Sequence, residues 1–331
     1  MESEIDVVAV GHAIVDVLAP ADQATLDRLG LVKGTMALID ARGSRSLYES
    51  TGPAVEVSGG SAANTAAGVA SLGGAAAFIG KVRDDQLGSV FAHDIVAAGV
   101  AFSTPPATAG PATGCCLVLM TDDAERTMAT YLGAAAGLAP GDIDIAVLAR
   151  AAVTYLEGYM WDPPEGIAAL RAAIAAAHGA GRRVALSLSD PFCVARHRQE
   201  FLALLADGDV DLLFANEAEI VALLGTGSFD EAVTEWKGRR PLAALTRGPT
   251  GSVVVSGDEV VTVPAEPVPA VVDTTGAGDL YAAGFLYGQV RGLDLVTCAR
   301  LGGVAAAEII GHVGARPQVP LADLVAPLLA G

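Results

Sequence analysis

Cysteine is scarce in this chain, with four in 331 residues. Cys115, Cys116, Cys193 and Cys298 show neither metal-ligand spacing nor a disulfide framework, so reduced, packed thiols are expected. Aromatic residues make up only 5%, and the hydrophobic fraction of 52% comes largely from Ala and Val. Mean hydropathy is high at +0.47, yet no apolar run reaches the ~20 residues needed to span a bilayer. The opening Met1-Glu-Ser-Glu-Ile-Asp is acidic and runs straight into a strand-like segment, unlike a secretory signal. The cytoplasm is therefore the expected location. Positive charge is also short: Lys+Arg 20 against Asp+Glu 38 leaves −18. That charge repels nucleic acid and anionic membranes at long range, so neither is an expected partner. Solubility, or a salt-rich habitat, is the plain account of the acidity.

No long linker, repeat or low-complexity tract divides the chain, and a single domain over 1–331 is expected. Ile5 to Val10 is a continuous apolar run, as in a strand buried on both faces, and Gly11-His12 ends it. Val15, Val17 and Met36 to Ile39 read as short strands, and 101–132 again turns to strands and turns. The latter holds the strand Cys115 to Met120 and a hairpin turn at Asp122-Asp123. These two stretches, about 15–58 and 101–132, are assigned to one small β appendage. Ser61 to Leu72 is a small-residue helix closed by Gly73-Gly74. After Pro140 strands alternate with helices, including the Ala-rich helix Pro164 to His178 and a helix near Arg196 to Ala206. The expected fold is α/β, a doubly wound, mostly parallel sheet flanked by helices.

The densest chemical signal is Asp273-Thr274-Thr275-Gly276-Ala277-Gly278-Asp279. It lies between a strand-like Val268 to Val272 and a helix-like Leu280 to Val290. Glycines let the backbone approach a ligand, and N–H groups at a helix start hold an anion. Asp279 falls in the first helical turn, where the dipole favours its charged form. A carboxylate beside amide donors can take a proton from a hydroxyl while the amides stabilise a transferring phosphoryl group. In parallel α/β sheets ligands gather beyond the strands' carboxyl ends. Asp16, in Gly11-His-Ala-Ile-Val-Asp16, lies at such an end and suits a clamp on two sugar hydroxyls. Ser58-Gly-Gly-Ser-Ala-Ala-Asn64 offers close backbone approach at Gly59 and Gly60, a helix cap at Ser61 and an amide at Asn64. Asn216 in Asn216-Glu217-Ala218-Glu219 is an expected N-cap.

The signature string, and the order in which these clusters follow one another, resemble the ribokinase-like (PfkB) sugar and nucleoside kinases over essentially the whole chain. Thr130-Tyr-Leu-Gly-Ala and Glu157-Gly-Tyr-Met-Trp-Asp-Pro-Pro are similar to segments of the adenosine kinase branch. The resemblance implies transfer of the γ-phosphoryl of ATP to the 5′-hydroxyl of adenosine, a step of purine salvage, by a monomer or homodimer. It gives Asp279 the role of base and the amides of Gly276, Ala277 and Gly278 that of anion hole. Asp16, Gly59, Gly60, Ser61 and Asn64 would hold the sugar, with the appendage closing as a lid. The nucleotide-binding part would be about 180–331. There Asn216 and Glu219 would face the phosphates, with Glu219 reaching Mg²⁺ through water, and Thr246, Arg247, Gly248 and Gly251 would contact the nucleotide. Tyr159 and Trp161 are candidates to line or stack on the purine. His12 and Thr275 stand where relatives commonly carry Asn, and His12 could bond ribose or base. Asp273, Thr275, Ile309, His312 and Gly314 match a monovalent-cation site, leaving potassium open. Alternatives are a kinase of another nucleoside or of a sugar such as ribose or fructose, and a non-catalytic nucleotide- or sugar-binding protein. No G-x-G-x-x-G follows the first strand, which argues against a dinucleotide enzyme.

Overall fold

Alternate residues of the first strand serve opposite cores. Val7 and Ala9 pack into one cluster of buried side chains and Val8 and Val10 into another. That two-sided burial places the strand inside a sheet with helices on both faces. The computed structural model describes residues 3–123 and 125–329. Its strands in the N-terminal half are β1 Ile5–Val10, β2 Ile14–Pro20, β3 Met36–Leu38, β4 Val55–Gly59, β5 Ala76–Ile79, β6 Val100–Phe102, β7 Gly114–Met120 and β8 Arg126–Tyr131. Then follow β9 Ala151–Glu157, β10 Arg183–Ser187, β11 Leu212–Asn216, β12 Leu242–Thr246, β13 Ser252–Ser256 and β14 Glu259–Val263. The large sheet runs β14-β13-β12-β11-β10-β9-β1-β5-β6, and the small one β3-β8-β7-β2-β4. Strands β6 to β12 of the large sheet are parallel, and β13 and β14 close it as an antiparallel hairpin.

The small sheet draws on both predicted stretches, but the second is divided. Val100–Phe102 pairs with β5 at the edge of the large sheet, and the small sheet resumes only at Gly114. The first stretch also holds two helices, Gln23–Leu29 and Ala41–Ser50, capped by the side chains of Asp22 and Asp40. The helix expected from Arg196 begins earlier, at Pro191, with Asp190 as its cap. The strand expected at Val268 to Val272 does not form. Pro267 and Pro269 have no N–H for a ladder, and the Val272 N–H donates instead to the Ile310 carbonyl at 2.8 Å. All four cysteines are free and buried. No helix among the described residues is long and apolar enough to cross a membrane.

Candidate active site

Parallel pairing aligns the carboxyl ends of β1, β9, β10, β11 and β12, so that Glu157 stands beside Ser187 and Asn216 beside Thr246. The helix Ala277–Val290 aims its N-terminus at this row. Between them lies a cavity of about 320 Å³, lined by Ser61, Tyr159, Asn216, Glu219, Thr246, Gly276, Gly278 and Asp279 among others. Eight predicted residues from separate parts of the chain thus meet at one place.

Gly276 caps that helix in the left-handed region, φ 78°, which glycine adopts without strain. The Ala277 N–H donates to the Thr274 carbonyl at 3.2 Å, which takes one of the three expected amides out of the anion hole. A Cβ built on Gly278 would meet nothing within 4 Å, which keeps a clear approach to the helix start. The Asp279 carboxylate accepts from Ser61 Oγ at 2.6 Å and Asn64 Nδ2 at 2.9 Å. Burial pushes its pKa up to about 6; the hydrogen bonds from Ser61 and Asn64 and the charge of Arg316 oppose the rise, and Glu157 adds to it. Ser61 is therefore not a helix cap. Gly60 takes the cap position without any side chain, and the Ser61 hydroxyl is engaged by Asp279.

Asp16 sits within β2 of the small sheet rather than in a turn after β1. A side chain at Gly59 would collide with its carboxylate at 2.5 Å, and one at Gly60 with the His12 carbonyl at 2.2 Å. The Gly-Gly pair thus clears room for Asp16 and for the chain crossing. Burial raises the Asp16 carboxyl to about 6, against the lowering pull of Arg316 and Arg126. The buried His12 ring lies with Nδ1 2.9 Å from Glu157 Oε1, and its Nε2 has no partner among the described residues. Glu157 also accepts from the Ala62 N–H at 3.0 Å, tying β9 to the start of the helix Ser61–Ser71.

At the nucleotide end Asn216 caps the helix Glu217–Leu224 and pairs reciprocally with Glu219. The Asn216 N–H donates to Glu219 Oε2 at 2.8 Å, and Asn216 Oδ1 accepts from the Glu219 N–H at 2.9 Å. Burial lifts the Glu219 carboxyl to about 7, with Asp190 and Asp279 adding to the rise. A buried acid lining the cavity, with its inner contacts satisfied by Asn216, fits a hydrated divalent cation held mainly by phosphates. No cluster of three or more His, Cys, Asp or Glu suited to a metal occurs among the described residues. Thr246 lines the cavity, but Arg247 stacks over Phe229 at 4.3 Å and donates to Glu217 at 3.1 Å. Gly248 opens a short 3-10 turn, and Gly251, φ 102°, lies against the Val263 carbonyl where no Cβ fits. Tyr159 lines the cavity. Trp161 does not: it is fully buried, edge-on to Phe201 at 5.4 Å, because the 3-10 turn Gly158–Trp161 points it into the core.

The cation-site residues meet only in part. Both Asp273 oxygens accept from Arg126 Nη1 at 2.6 Å, one also from the Thr275 N–H and the other from the Gly314 N–H, each at 3.0 Å. Arg126 also bonds the Thr275 hydroxyl. Gly314 offers an N–H rather than a carbonyl, Ile309 is buried in the helix Leu295–Ile309, and the His312 ring lies 3.1 Å from Glu308. A guanidinium already balances Asp273, the one carboxylate of the expected cation site.

Sequence reasoning missed the roles of Arg126, Glu157 and Arg316. Glu157 ends β9 and opens Glu157-Gly-Tyr-Met-Trp-Asp-Pro-Pro, so a carboxylate at a strand's carboxyl end was its available signal. Arg126 and Arg316 act across more than 140 residues of sequence, at separations of 147 and 252, and carry no local pattern.

Residues 45–322 match the sequence profile of the pfkB family carbohydrate kinases. An adenosine kinase structure from Sinorhizobium meliloti is 51% identical, with TM-score 0.91, covering 98% of this chain and 99% of that one. A probable sugar kinase from Rhizobium etli is 46% identical, with TM-score 0.92 and the same coverage. An ATP-dependent ribose-1-phosphate kinase from Halopiger xanaduensis is 32% identical over 82% of this chain and 86% of its own length.

Proposed function

The chain belongs to the pfkB family of carbohydrate kinases, enzymes that phosphorylate a hydroxyl group, and from that premise we propose that its acceptor is adenosine. The phosphoryl donor is ATP and the acceptor group the 5′-hydroxyl. The observation that supports this acceptor is the 51% identity, over nearly all of both chains, to an adenosine kinase. The geometry supplies the chemistry. Asp279 is held by Ser61 and Asn64 in the first turn of the helix Ser61–Ser71, so the base and the residues that receive the acceptor are one hydrogen-bonded unit. Asp279 takes the hydroxyl proton as the new P–O bond forms. The amides of Gly276 and Gly278, at the positive end of their helix, receive the charge on the moving phosphoryl group. Asp16, facing from the small sheet, accepts from the sugar hydroxyls and excludes wrongly placed acceptors. Tyr159 flanks the cavity near the base of the nucleoside. Glu219 would hold a hydrated Mg²⁺ at the phosphates, and the ion would supply neutralisation of their charge. The small sheet acts as a lid whose closure keeps water from the donor phosphate.

The test is ADP formation from ATP with adenosine, inosine, guanosine, cytidine, ribose, ribose 1-phosphate and fructose under identical conditions. Adenosine is expected to show the highest kcat/KM. A sugar or sugar phosphate ranking first would replace the acceptor and leave the phosphotransfer chemistry standing. Nucleotide binding without ADP formation from any acceptor would make the chain a binding protein.

A further inference from the structure

Asn64 can present either its oxygen or its NH₂ to Asp279, and a carboxylate base works only with the second. Nothing within Asn64 decides the matter, because the two ends of an amide are nearly the same shape. The decision comes from Arg316, in the loop after the helix Leu295–Ile309. Arg316 Nη1 donates to Asn64 Oδ1 at 2.7 Å, and Asn64 Nδ2 donates to Asp279 Oδ2 at 2.9 Å. A guanidinium has donors only, so it takes the amide oxygen and turns the NH₂ toward Asp279. Its second arm is fixed as well: Nη2 donates to Ser58 Oγ at 2.9 Å, and Ser58 donates from both Oγ and N to Asp94, at 2.6 and 2.7 Å. Asp94, Ser58, Arg316, Asn64 and Asp279 thus form one hydrogen-bonded chain whose donors point outward from Arg316, to Asp94 at one end and to Asp279 at the other.

We propose that Arg316 is a positioning residue of this kinase, orienting Asn64 toward Asp279 and keeping Asp279 in its charged, proton-accepting form. The proposal rests on the reading of Asp279 as general base. The charges around Asp279 make the second role necessary. The charge of Glu157, at the end of β9, raises the Asp279 carboxyl, and the charge of Asp279 in turn raises those of Asp16 on β2 and Glu219 near the start of its helix. The hydroxyls of Tyr155 and Tyr159 also feel its charge. Arg316 is the cation that lowers both Asp279 and Asp16. Arg126 lowers Asp16 but is anchored on Asp273, and His12 is engaged by Glu157.

The experiment compares kcat, both KM values and the pH profile of kcat/KM for adenosine in the native protein, Arg316→Gln, Arg316→Lys and Asp279→Asn. Arg316→Gln is expected to shift the acid limb upward by about one pH unit, the usual scale for losing an opposite charge close by. Its kcat is expected to fall roughly 10- to 100-fold through misplacement of Asn64, with the KM for ATP little changed. Arg316→Lys keeps the charge but not the two-armed grip, so its acid limb stays in place while kcat recovers only in part. An acid limb that does not move in Arg316→Gln overturns the proposal, whether turnover is retained or lost equally at every pH. Near-normal turnover in Asp279→Asn overturns the base reading beneath it, a result distinct from failure of Arg316 alone.

Discussion

Asn64 and Asp279 lie 215 residues apart in sequence, and their side chains meet at 2.9 Å. One lies in the first turn of the helix Ser61–Ser71 and the other in the first turn of the helix Ala277–Val290, so on the proposed mechanism the hydrogen bond fixes the base where an acceptor hydroxyl arrives. Replacing Asp279 by Asn keeps the helix start but removes the basic oxygen. General-base assistance is worth roughly 10²–10⁴-fold, and kcat should fall by about that factor. Dissociation constants for ATP and adenosine, measured separately, should change far less. Near-normal turnover in a folded variant would take Asp279 out of the mechanism.

Asp279 and Asp16 share an acid limb. Each carboxyl is raised to about 6 by burial, and the proposed mechanism needs each of them ionised. Activity is therefore expected to rise with pH through about 6 and level off above it. The two groups sense each other's charge, so the limb reports the pair and not either residue alone. A kcat/KM profile for adenosine that stays flat down to pH near the ordinary carboxyl value of 3.8 would contradict this.

Asp16→Asn should weaken adenosine binding and stabilise the empty protein. The folded state holds the Asp16 proton more tightly than the unfolded chain does, with a pKa of about 6 against 3.8. Burial of the charge thus destabilises the fold fully above about 6, and the effect disappears below the unfolded value. Removing the charge should raise the melting temperature at neutral pH but not in acid. The gain is at most about 3 kcal/mol, reduced by whatever water reaches the cleft. Equal melting temperatures at both pH values would show that Asp16 carries no such burden.

Arg126 reaches from β8 of the small sheet to Asp273 beside the signature turn, with both side chains nearly buried. It supplies the positive charge that a monovalent cation would bring. Turnover should be the same in potassium and in a large organic cation at equal ionic strength. A several-fold rise on adding potassium would show that Arg126 vacates Asp273 in the working enzyme. Arg126→Gln should leave Asp273 buried and unpaired, destabilising the protein by about 3–5 kcal/mol in chemical denaturation.

Local physics made much of this protein legible. The apolar run of β1, the β/α alternation and the Gly-rich turn before Asp279 each act within a few residues, and each formed as the pattern required. Helix caps at Asp22 and Asp40 were equally local, yet the helices they start lay inside a stretch read as strands. Val268 to Val272 shows the converse. Its valines favour a strand, but Pro267 before it and Pro269 within it leave it without a ladder. Other features belong to no local segment. Trp161 looked like a stacking residue until the turn Gly158–Trp161 aimed it into the core. Ser61 reads as a cap, but Asp279 claims its hydroxyl from 218 residues away. The sequence by itself determined the Gly-rich turn, the carboxylate that follows it and the sheet that carries them, because these depend on short-range backbone preferences. Only the tertiary structure decided that Arg316 would hold Asn64, that Glu157 would hold His12 and that Arg126 would sit on Asp273. Those pairings are set by where distant strand ends and loops converge, and charge in a buried cleft acts across space without regard to chain separation.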